Sequence, residues 1–244
     1  QARAKADTLK ELVTIVSTLV DEAKFMITAD GISLRAVDPA HVAMVNLKLN
    51  KEAFEEYKAD ESELGIDVAK LEQFLRLAKA GDIIDIVNDE EKRRLNVAVG
   101  NTTKRMSLID TTGMSEPKLP NLNLPAKVSL KIDDISQGIK ASESVSDHIA
   151  LNVTSDSFEM ICEGDTDQVQ LKLAKDKLLE LECEGKVRSL FPLEYFSNMM
   201  RAIPSQAKIT LNLGNDYPVK IEFKIADGNG DVTYLLAPRI ESSD

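Results

Sequence analysis

An internal repeat restricts the possible folds of this chain more than any other feature. Residues 21–49 read DEAKFMITADGISLRAVDPAHVAMVNLKL, and residues 147–173 read DHIALNVTSDSFEMICEGDTDQVQLKL. Thr28 aligns with Thr154, and Leu34 aligns with Met160 at the same shift. A deletion of two residues in the following loop brings the third strand of each segment into line. Repeats of this kind mark a fold built from copies of one unit, so we expect two similar domains.

Helical patterns flank the repeated strands in both copies. Apolar residues at helical spacing lie within residues 9–19 and 68–78 of the first copy and within 132–145 and 193–203 of the second. Strands are then expected to close each copy, at 83–87, 95–99 and 105–109, and at 209–213, 219–225 and 232–236. The predicted fold is α+β. It consists of duplicated domains, each with two helices packed on antiparallel sheets of about eight or nine strands in total.

A proline-rich segment separates the two copies. Residues 111–125 read TTGMSEPKLPNLNLP and hold three prolines without a helical period, which predicts an extended connector. We expect an N-terminal domain over 1–110, this connector, and a C-terminal domain over 126–244. Leu119, Leu122 and Leu124 are apolar residues that a plain linker would not keep. The chain begins with Gln1 inside an alternating stretch, so we also expect a residue or two to precede it.

The charge of the chain limits how it could meet DNA. Its 30 Lys and Arg against 41 Asp and Glu give a net charge of −11, which excludes general basic attraction to nucleic acid. Any DNA contact must come from a local patch, because phosphates attract Lys and Arg without regard to sequence. The helix faces turned away from the strands carry such a patch. Its members, called here the helix-face set, are Lys10, Lys70, Gln73, Arg76, Lys79, Lys140 and Arg201.

The chain lacks the residue patterns of an enzyme, a metalloprotein or a membrane protein. Its two histidines, His41 and His148, have no metal-ligand spacing. Cys162 could serve as a nucleophile with His148 as base, but a cysteine in a strand pattern is more often a small buried hydrophobe. No glycine-rich phosphate loop occurs and no apolar run could span a bilayer. We expect no catalysis, no cofactor, no metal site and an intracellular, reducing compartment.

Four segments of the chain resemble one known family. They are LRAVDP at 34–39 followed by His41 and Val42, SVSDHI at 144–149, EGD at 163–165 and LLAPRIE at 235–241. In this order, and with the duplication, they are similar to DNA sliding clamps of the proliferating cell nuclear antigen family, in particular its archaeal members. The resemblance implies a ring of three identical subunits around duplex DNA. It also implies that the ring has no enzymatic activity and tethers DNA polymerase, ligase and flap nuclease, while a separate clamp loader opens it.

The same resemblance implies a surface that binds client peptides, and the charges of two open strand edges predict a second surface, the subunit contact. Short client peptides rich in glutamine and aromatic residues would bind Val37, His41, Val42, Leu119, Leu122, Pro218, Leu235, Ala237 and Pro238. The subunit contact would be a head-to-tail join of strand edges, with Lys104 and Arg105 opposite Glu180 and Glu182. A subunit of a heterotrimeric clamp is the alternative reading. The location would be the cytoplasm, with the nucleoid, in an archaeon, or the nucleus in a eukaryote.

Overall fold

The computed structural model describes residues 1–240, which form two compact units. The first unit comprises Gln1–Lys118 together with Lys224–Val232, and the second comprises Leu119–Phe223 together with the chain from Thr233 on. Glu241, the last residue of the fourth motif, and the end of the expected C-terminal domain lie outside the described residues. Within residues 1–240, no helix is both long enough and apolar enough to cross a membrane.

The first half of the chain, up to Lys118, contains two helices and nine strands. The helices are α1 (Ala6–Ser17) and α2 (Val68–Leu75). The strands are β1 (Ala2–Lys5), β2 (Glu22–Thr28), β3 (Gly31–Val37), β4 (Ala43–Asn50), β5 (Glu56–Tyr57), β6 (Ser62–Asp67), β7 (Ile83–Asp89), β8 (Arg94–Val99) and β9 (Thr102–Ser107). Five of these strands form an antiparallel sheet in the order β5-β1-β7-β8-β9, while β4, β3, β2 and β6 are neighbours in that order.

The second half of the chain repeats this plan. Its helices are α3 (Asp133–Ser142) and α4 (Leu193–Ala202). Its strands are β10 (Ala126–Lys131), β11 (His148–Thr154), β12 (Ser157–Glu163), β13 (Gln168–Ala174), β14 (Glu180–Glu182), β15 (Lys186–Pro192), β16 (Lys208–Leu213), β17 (Val219–Ile225) and β18 (Gly230–Leu236). The orders β14-β10-β16-β17-β18 and β13-β12-β11-β15 match the first half strand for strand. The predicted duplicated α+β fold is confirmed.

One-sided burial explains why these segments form these elements. In β4, alternate residues from Ala43 to Leu49 are buried, as expected for a strand with one face on a core. In α1, the residues buried at helical spacing include Leu9, Leu12, Val13 and Val16. Helix α3 approaches β13 closely at Gly138, where an added Cβ would lie 2.7 Å from Leu171 Cδ1. Each helix therefore has one apolar side on the sheets and one side left free.

The last strand of the first half differs from the expected 105–109. β9 begins three residues earlier and pairs with β8, with Thr102 opposite Val99. Gly100, at φ +56°, takes the left-handed conformation that a tight hairpin turn requires. Ile109 lies beyond β9 and donates its amide hydrogen to the Gly65 carbonyl oxygen at 2.8 Å. From there to β10 the described chain contains no helix or named strand, in keeping with an extended connector.

A cavity of about 380 Å³ opens at the surface of the first unit, beside exposed residues such as Lys58 and Glu61, and reaches into the apolar core. The amide oxygen of Asn88 is buried at its wall and has no hydrogen-bond partner among the described residues. Strand registers identify the counterparts in the second half: β7 pairs Ile86 with Ala2, as β16 pairs Leu211 with Val128. Asn88 therefore corresponds to Leu213, which is fully buried. The cavity lies where the first copy has smaller or polar side chains.

We predict that Asn88→Leu stabilises the first unit. Leucine would fill part of the cavity and remove a buried amide oxygen that has no hydrogen-bond partner, which together should raise the free energy of unfolding by about 1–2 kcal/mol. Urea denaturation followed by circular dichroism measures the change. Leu213→Asn is the matched reciprocal variant and should destabilise the protein. An unchanged or lower urea midpoint for Asn88→Leu would contradict this account of the cavity.

Candidate functional site

Helix α2 presents a row of exposed polar and basic side chains. Asp67 caps the helix by accepting the Lys70 amide hydrogen at 2.9 Å, and the buried residues Val68, Leu71, Phe74 and Leu75 fix its inner side. Lys70, Gln73 and Arg76 recur every third residue and are all exposed, as is Lys79 beyond the helix. Residues three or four apart share a helix face, so α2 and the residues just after it hold four of the seven members of the helix-face set.

Lys10 lies at the edge of this row rather than in its middle. Its side chain on α1 is half-buried, and its Nζ donates a hydrogen bond to the carbonyl oxygen of Ala78, just after α2. A cation near the last carbonyls of a helix is favoured by the helix dipole. Lys10 therefore joins α1 to the end of α2 and is the least exposed cation of the set.

In the second unit, the helix-face residues lie on either side of a groove of about 410 Å³ between α3 and α4. Lys140 on α3 and Arg201 on α4 both line it and are exposed. Glu143, at the end of α3, accepts hydrogen bonds from the Ser197 hydroxyl at 2.5 Å and from the Arg201 guanidinium. The structure thus brings Lys140 and Arg201 onto one polar surface, with an acid beside them.

Three of the helix-face cations have acidic partners that the sequence analysis does not predict. Lys70 Nζ lies 2.8 Å from an Asp67 carboxylate oxygen, and Arg76 lies 3.5 Å from Glu72. The side-chain hydrogen bond between Lys70 and Asp67 lowers the pKa of that carboxyl and raises the pKa of the Lys70 ammonium. The spacings of three and four residues could have revealed these two pairs. The 58-residue separation of Glu143 and Arg201 carries no such signal.

A rigid loop over residues 38–43, called here the Asp38 loop, follows β3. The Asp38 carboxylate is buried and accepts amide hydrogens from Ala40 at 3.2 Å and from Val42 and Ala43 at 2.7 Å each. His41 has φ +58°, so the chain reverses tightly at this residue. His41 is exposed and Val42 half-buried. The loop therefore offers His41 and Val42 at a fixed backbone position.

The start of the connector is held to the first unit by Arg35. The guanidinium of this β3 residue donates to the Pro117 carbonyl oxygen at 3.0 Å and to Asn46 Oδ1 at 3.1 Å, and lies 3.7 Å from Glu116. Of the other residues expected to bind peptide, Val37 at the end of β3 is half-buried, and the second unit contains the rest. There Leu119 is exposed, Leu235 is buried, and four are half-buried: Leu122, Pro218, Ala237 and Pro238.

The residues expected at the subunit contact lie on edge strands. β9 and β14 each end a sheet, and Arg105 and Glu182 are exposed. Lys104 instead faces α2: its Nζ donates to the Lys70 carbonyl oxygen at 3.0 Å and lies 5.7 Å from the centre of the Phe74 ring. Glu180 is bound by Lys127 at 2.8 Å, a hydrogen bond that lowers the pKa of the Glu180 carboxyl. Both side chains already have partners within their own unit.

Cys162 has the environment of a structural residue. Its thiol is buried and lies within hydrogen-bonding distance of the carbonyl oxygens of Ser142 and His148, at 3.5 and 3.3 Å. Burial raises the pKa of the Cys162 thiol, which disfavours the nucleophilic thiolate. Among residues 1–240, no group of three or more His, Cys, Asp or Glu side chains could hold a metal ion.

Comparison with known proteins places this architecture in a defined class. The chain has two similar units, each with helices packed on sheets and with charged residues on the outer helix faces. This is the architecture of the duplicated sliding-clamp fold. Residues 2–115 match "Proliferating cell nuclear antigen, N-terminal domain", and residues 118–239 match the corresponding C-terminal domain. The chain belongs to the proliferating cell nuclear antigen family.

Similar proteins from archaea cover the chain from end to end. A DNA polymerase sliding clamp of Methanococcoides burtonii is 43% identical over 243 residues, covering 99% of both chains. One from Halobacterium salinarum is 45% identical over 246 residues, covering 100% of this chain and 99% of the relative. Among solved structures, that of A. fulgidus PCNA bound to the C-terminal region of FEN-1 is 30% identical, covers 99% of both chains and has a TM-score of 0.93.

Proposed function

We propose that this protein is a DNA sliding clamp that encircles duplex DNA as a ring of three identical chains. In this role it raises the processivity of DNA polymerase and serves as a docking platform for replication and repair enzymes. The observation that carries the proposal is the end-to-end similarity to archaeal DNA polymerase sliding clamps at 43–45% identity. Similar archaeal relatives favour the cytoplasm, in association with the nucleoid, as its location. The ring itself would catalyse no reaction.

The charge distribution supports encirclement rather than tight binding. A chain of net charge −11 is repelled by phosphates at long range. The helix-face set supplies local cations on the free sides of all four helices. Such contacts to phosphates are independent of sequence and weaken as salt is added. A ring lined by these faces would be held on DNA by its closed topology, while the contacts themselves stay weak.

Open strand edges support self-assembly. β9 ends one sheet of the first unit, and both β13 and β14 end sheets of the second unit. Unpaired edges invite pairing with another chain, and a head-to-tail ring removes them. Arg105 on β9 and Glu182 on β14 have opposite charges, as the proposed join requires. β13 is the other candidate, because it has seven residues against three in β14.

The same chain carries both edges that the head-to-tail join needs: β9 on one side, and β13 or β14 on the other. This favours a homotrimer over a heterotrimer. A heterotrimeric clamp remains the second candidate. The PCNA2-PCNA3 complex of Sulfolobus tokodaii, with a TM-score of 0.87 and 23% identity, has the same fold and contains two different chains. The oligomeric state of the purified protein on its own separates the two candidates.

The Asp38 loop supports a docking site for client peptides. Its backbone is fixed by three hydrogen bonds to one buried carboxylate, so binding would cost little ordering entropy there. The structure of A. fulgidus PCNA holds the C-terminal region of FEN-1, which is a protein segment on a related clamp. We infer that polymerase, ligase, flap nuclease and clamp loader use short glutamine-containing and aromatic peptides on this protein. Val37, His41, Val42, Leu119, Leu122, Pro218, Leu235, Ala237 and Pro238 are the proposed contacts.

We predict that the loaded clamp resists salt on circular DNA. A cognate clamp loader places the protein on a nicked circle, and salt is then raised to about 1 M, where the Debye length falls to about 3 Å and phosphate contacts are screened. Gel filtration measures the protein that stays with the DNA. Retention on the circle, with loss after the same circle is cut once, is the expected result. Equal loss from circular and linear DNA would refute encirclement.

We predict that Arg105→Glu shifts the assembly from trimer to monomer. The unmodified protein should have a mass near three times 26.9 kDa, measured by light scattering after gel filtration. Glu182→Lys combined with Arg105→Glu tests the partner strand, because the swapped charges restore attraction only if β9 pairs with β14. If the double variant stays monomeric, Arg105 is not paired with Glu182, and β13 becomes the candidate partner strand. An undisturbed trimer in the single variant would exclude β9 from the contact.

We predict that Asp38→Ala weakens client peptide binding about tenfold, equivalent to about 1.4 kcal/mol. Three amide hydrogens lose their acceptor, so the loop must be reordered when the peptide binds. Fluorescence anisotropy of a labelled glutamine-containing and aromatic peptide measures the affinity. Asp30→Ala, in the exposed turn between β2 and β3, is the control and should bind normally. Normal binding by Asp38→Ala, with a urea midpoint close to that of the unmodified protein, would exclude a role for the loop.

A further inference from the structure

Three helix-face cations are paired with carboxylates that are less exposed than the cations themselves. The Lys70, Arg76 and Arg201 side chains are 68%, 73% and 61% exposed. Their acidic partners are Asp67, Glu72 and Glu143, at 18%, 27% and 32%. We call these three carboxylates the recessed acids. The cations extend into solvent, and the acids lie behind them, closer to the protein.

The recessed acids occur in both halves of the chain, by different routes. Asp67 and Glu72 precede their partners by three and four residues on α2. Glu143 belongs to the end of α3 and reaches Arg201 on α4. Two unrelated local arrangements thus give the same result, an acid set behind a solvent-facing cation. In residues 1–240 the structure shows no ion pair for Lys79 or Lys140, so not every cation of the set is balanced in this way.

We propose that the recessed acids limit the affinity of the helix-face cations for duplex DNA, so that the clamp can move along the helix axis. This inference rests on the proposed function, because it concerns the surface that would face DNA. An acid behind each cation competes with the phosphate for the same guanidinium or ammonium group. It also repels the phosphate that approaches. The contact is therefore formed and broken at low cost.

The physical chemistry of phosphate binding gives a measurable signature. Each phosphate neutralised by a free cation releases condensed counterions and adds about 0.9 to the slope of log K against log salt concentration. A cation that already has a protein carboxylate must break that pair first, so its net gain is smaller. Removing the carboxylates should increase both the affinity at low salt and the steepness of its salt dependence.

The test compares two triple variants that carry the same change in net charge. The test variant is Asp67→Asn, Glu72→Gln and Glu143→Gln. The control variant is Asp89→Asn, Glu159→Gln and Asp231→Asn, which removes the acids of three Lys pairs outside the four helices: Lys92–Asp89, Lys172–Glu159 and Lys224–Asp231. Both variants have a net charge of −8 instead of −11. Asparagine can still cap α2 at position 67, and the single variant Glu72→Gln provides a milder second test.

Binding to a short linear duplex is measured by fluorescence anisotropy over a series of salt concentrations. At about 0.1 M salt, where the Debye length is about 10 Å, distant charges are largely screened. We expect the test variant to bind about five- to tenfold more tightly than the unmodified trimer, with a slope steeper by about 1–3. The control variant should change affinity by less than about twofold. On loaded DNA, single-molecule tracking should show slower diffusion of the test variant alone.

The outcomes separate this inference from the proposed function. If the unmodified protein is not retained on circular DNA, the sliding-clamp proposal fails. If it is retained but the test and control variants bind the linear duplex equally, only the role of the recessed acids is overturned. The same holds if Glu72→Gln and the triple test variant both bind no more tightly than the unmodified protein.

Discussion

Burial of one side of each helix against antiparallel sheets is the constraint on which the rest of this structure depends. In α2 the inner positions are filled by Val68, Leu71, Phe74 and Leu75, and in α3 even the space for a Cβ is used at Gly138. The core therefore determines which way each helix faces. It places almost no requirement on the outer positions, where surface substitutions usually change stability by less than about 0.5 kcal/mol. The residues at those positions can therefore be chosen for binding to a partner with little loss of stability.

The same one-sided burial explains how much of the fold the sequence predicts. Apolar residues recur every two residues in a strand and every 3.6 residues in a helix because one face of the element is buried. The internal repeat shows each pattern twice, so each element is predicted from two segments of the sequence. The exact bounds of a strand at a sheet edge, and the direction of its side chains, are harder to predict from the sequence. The apolar pattern places the start of β9 three residues too late, because Thr102, Thr103 and Lys104 show no apolar alternation on this open edge. Lys104 lies on this edge strand as expected, but the sequence does not show that its long side chain turns back over the Phe74 ring.

Side-chain partners of the candidate site were predictable only where they are local. The pairs of Lys70 and Arg76 follow from helix geometry, whereas Glu143 reaches Arg201 across 58 residues. The hydrogen bonds of Asp38 are also not predictable from the sequence. The sequence shows that Asp38 belongs to the LRAVDP segment, but the three amide hydrogens that it accepts depend on the tight reversal of the chain at His41. Burial of a carboxylate is tolerated there because each lost contact with water is replaced by a backbone donor.

The two halves keep the same strand pairing while their side chains differ. In the first half, Asn88 and Ala2 occupy the positions that Leu213 and Val128 occupy in the second half. The pairing of the strands is therefore the same although the size and polarity of the side chains differ. The outer helix faces keep one shared cation, because Arg76 and Arg201 each lie eight residues after the first residue of their helix. The other cations have diverged: Lys70 and Lys79 occur only in the first half, and Lys140 only in the second. A surface that recognised bases would need fixed positions for its donors. A surface that meets only a repeating row of phosphates needs cations at about the right density, so this divergence costs a sliding clamp little.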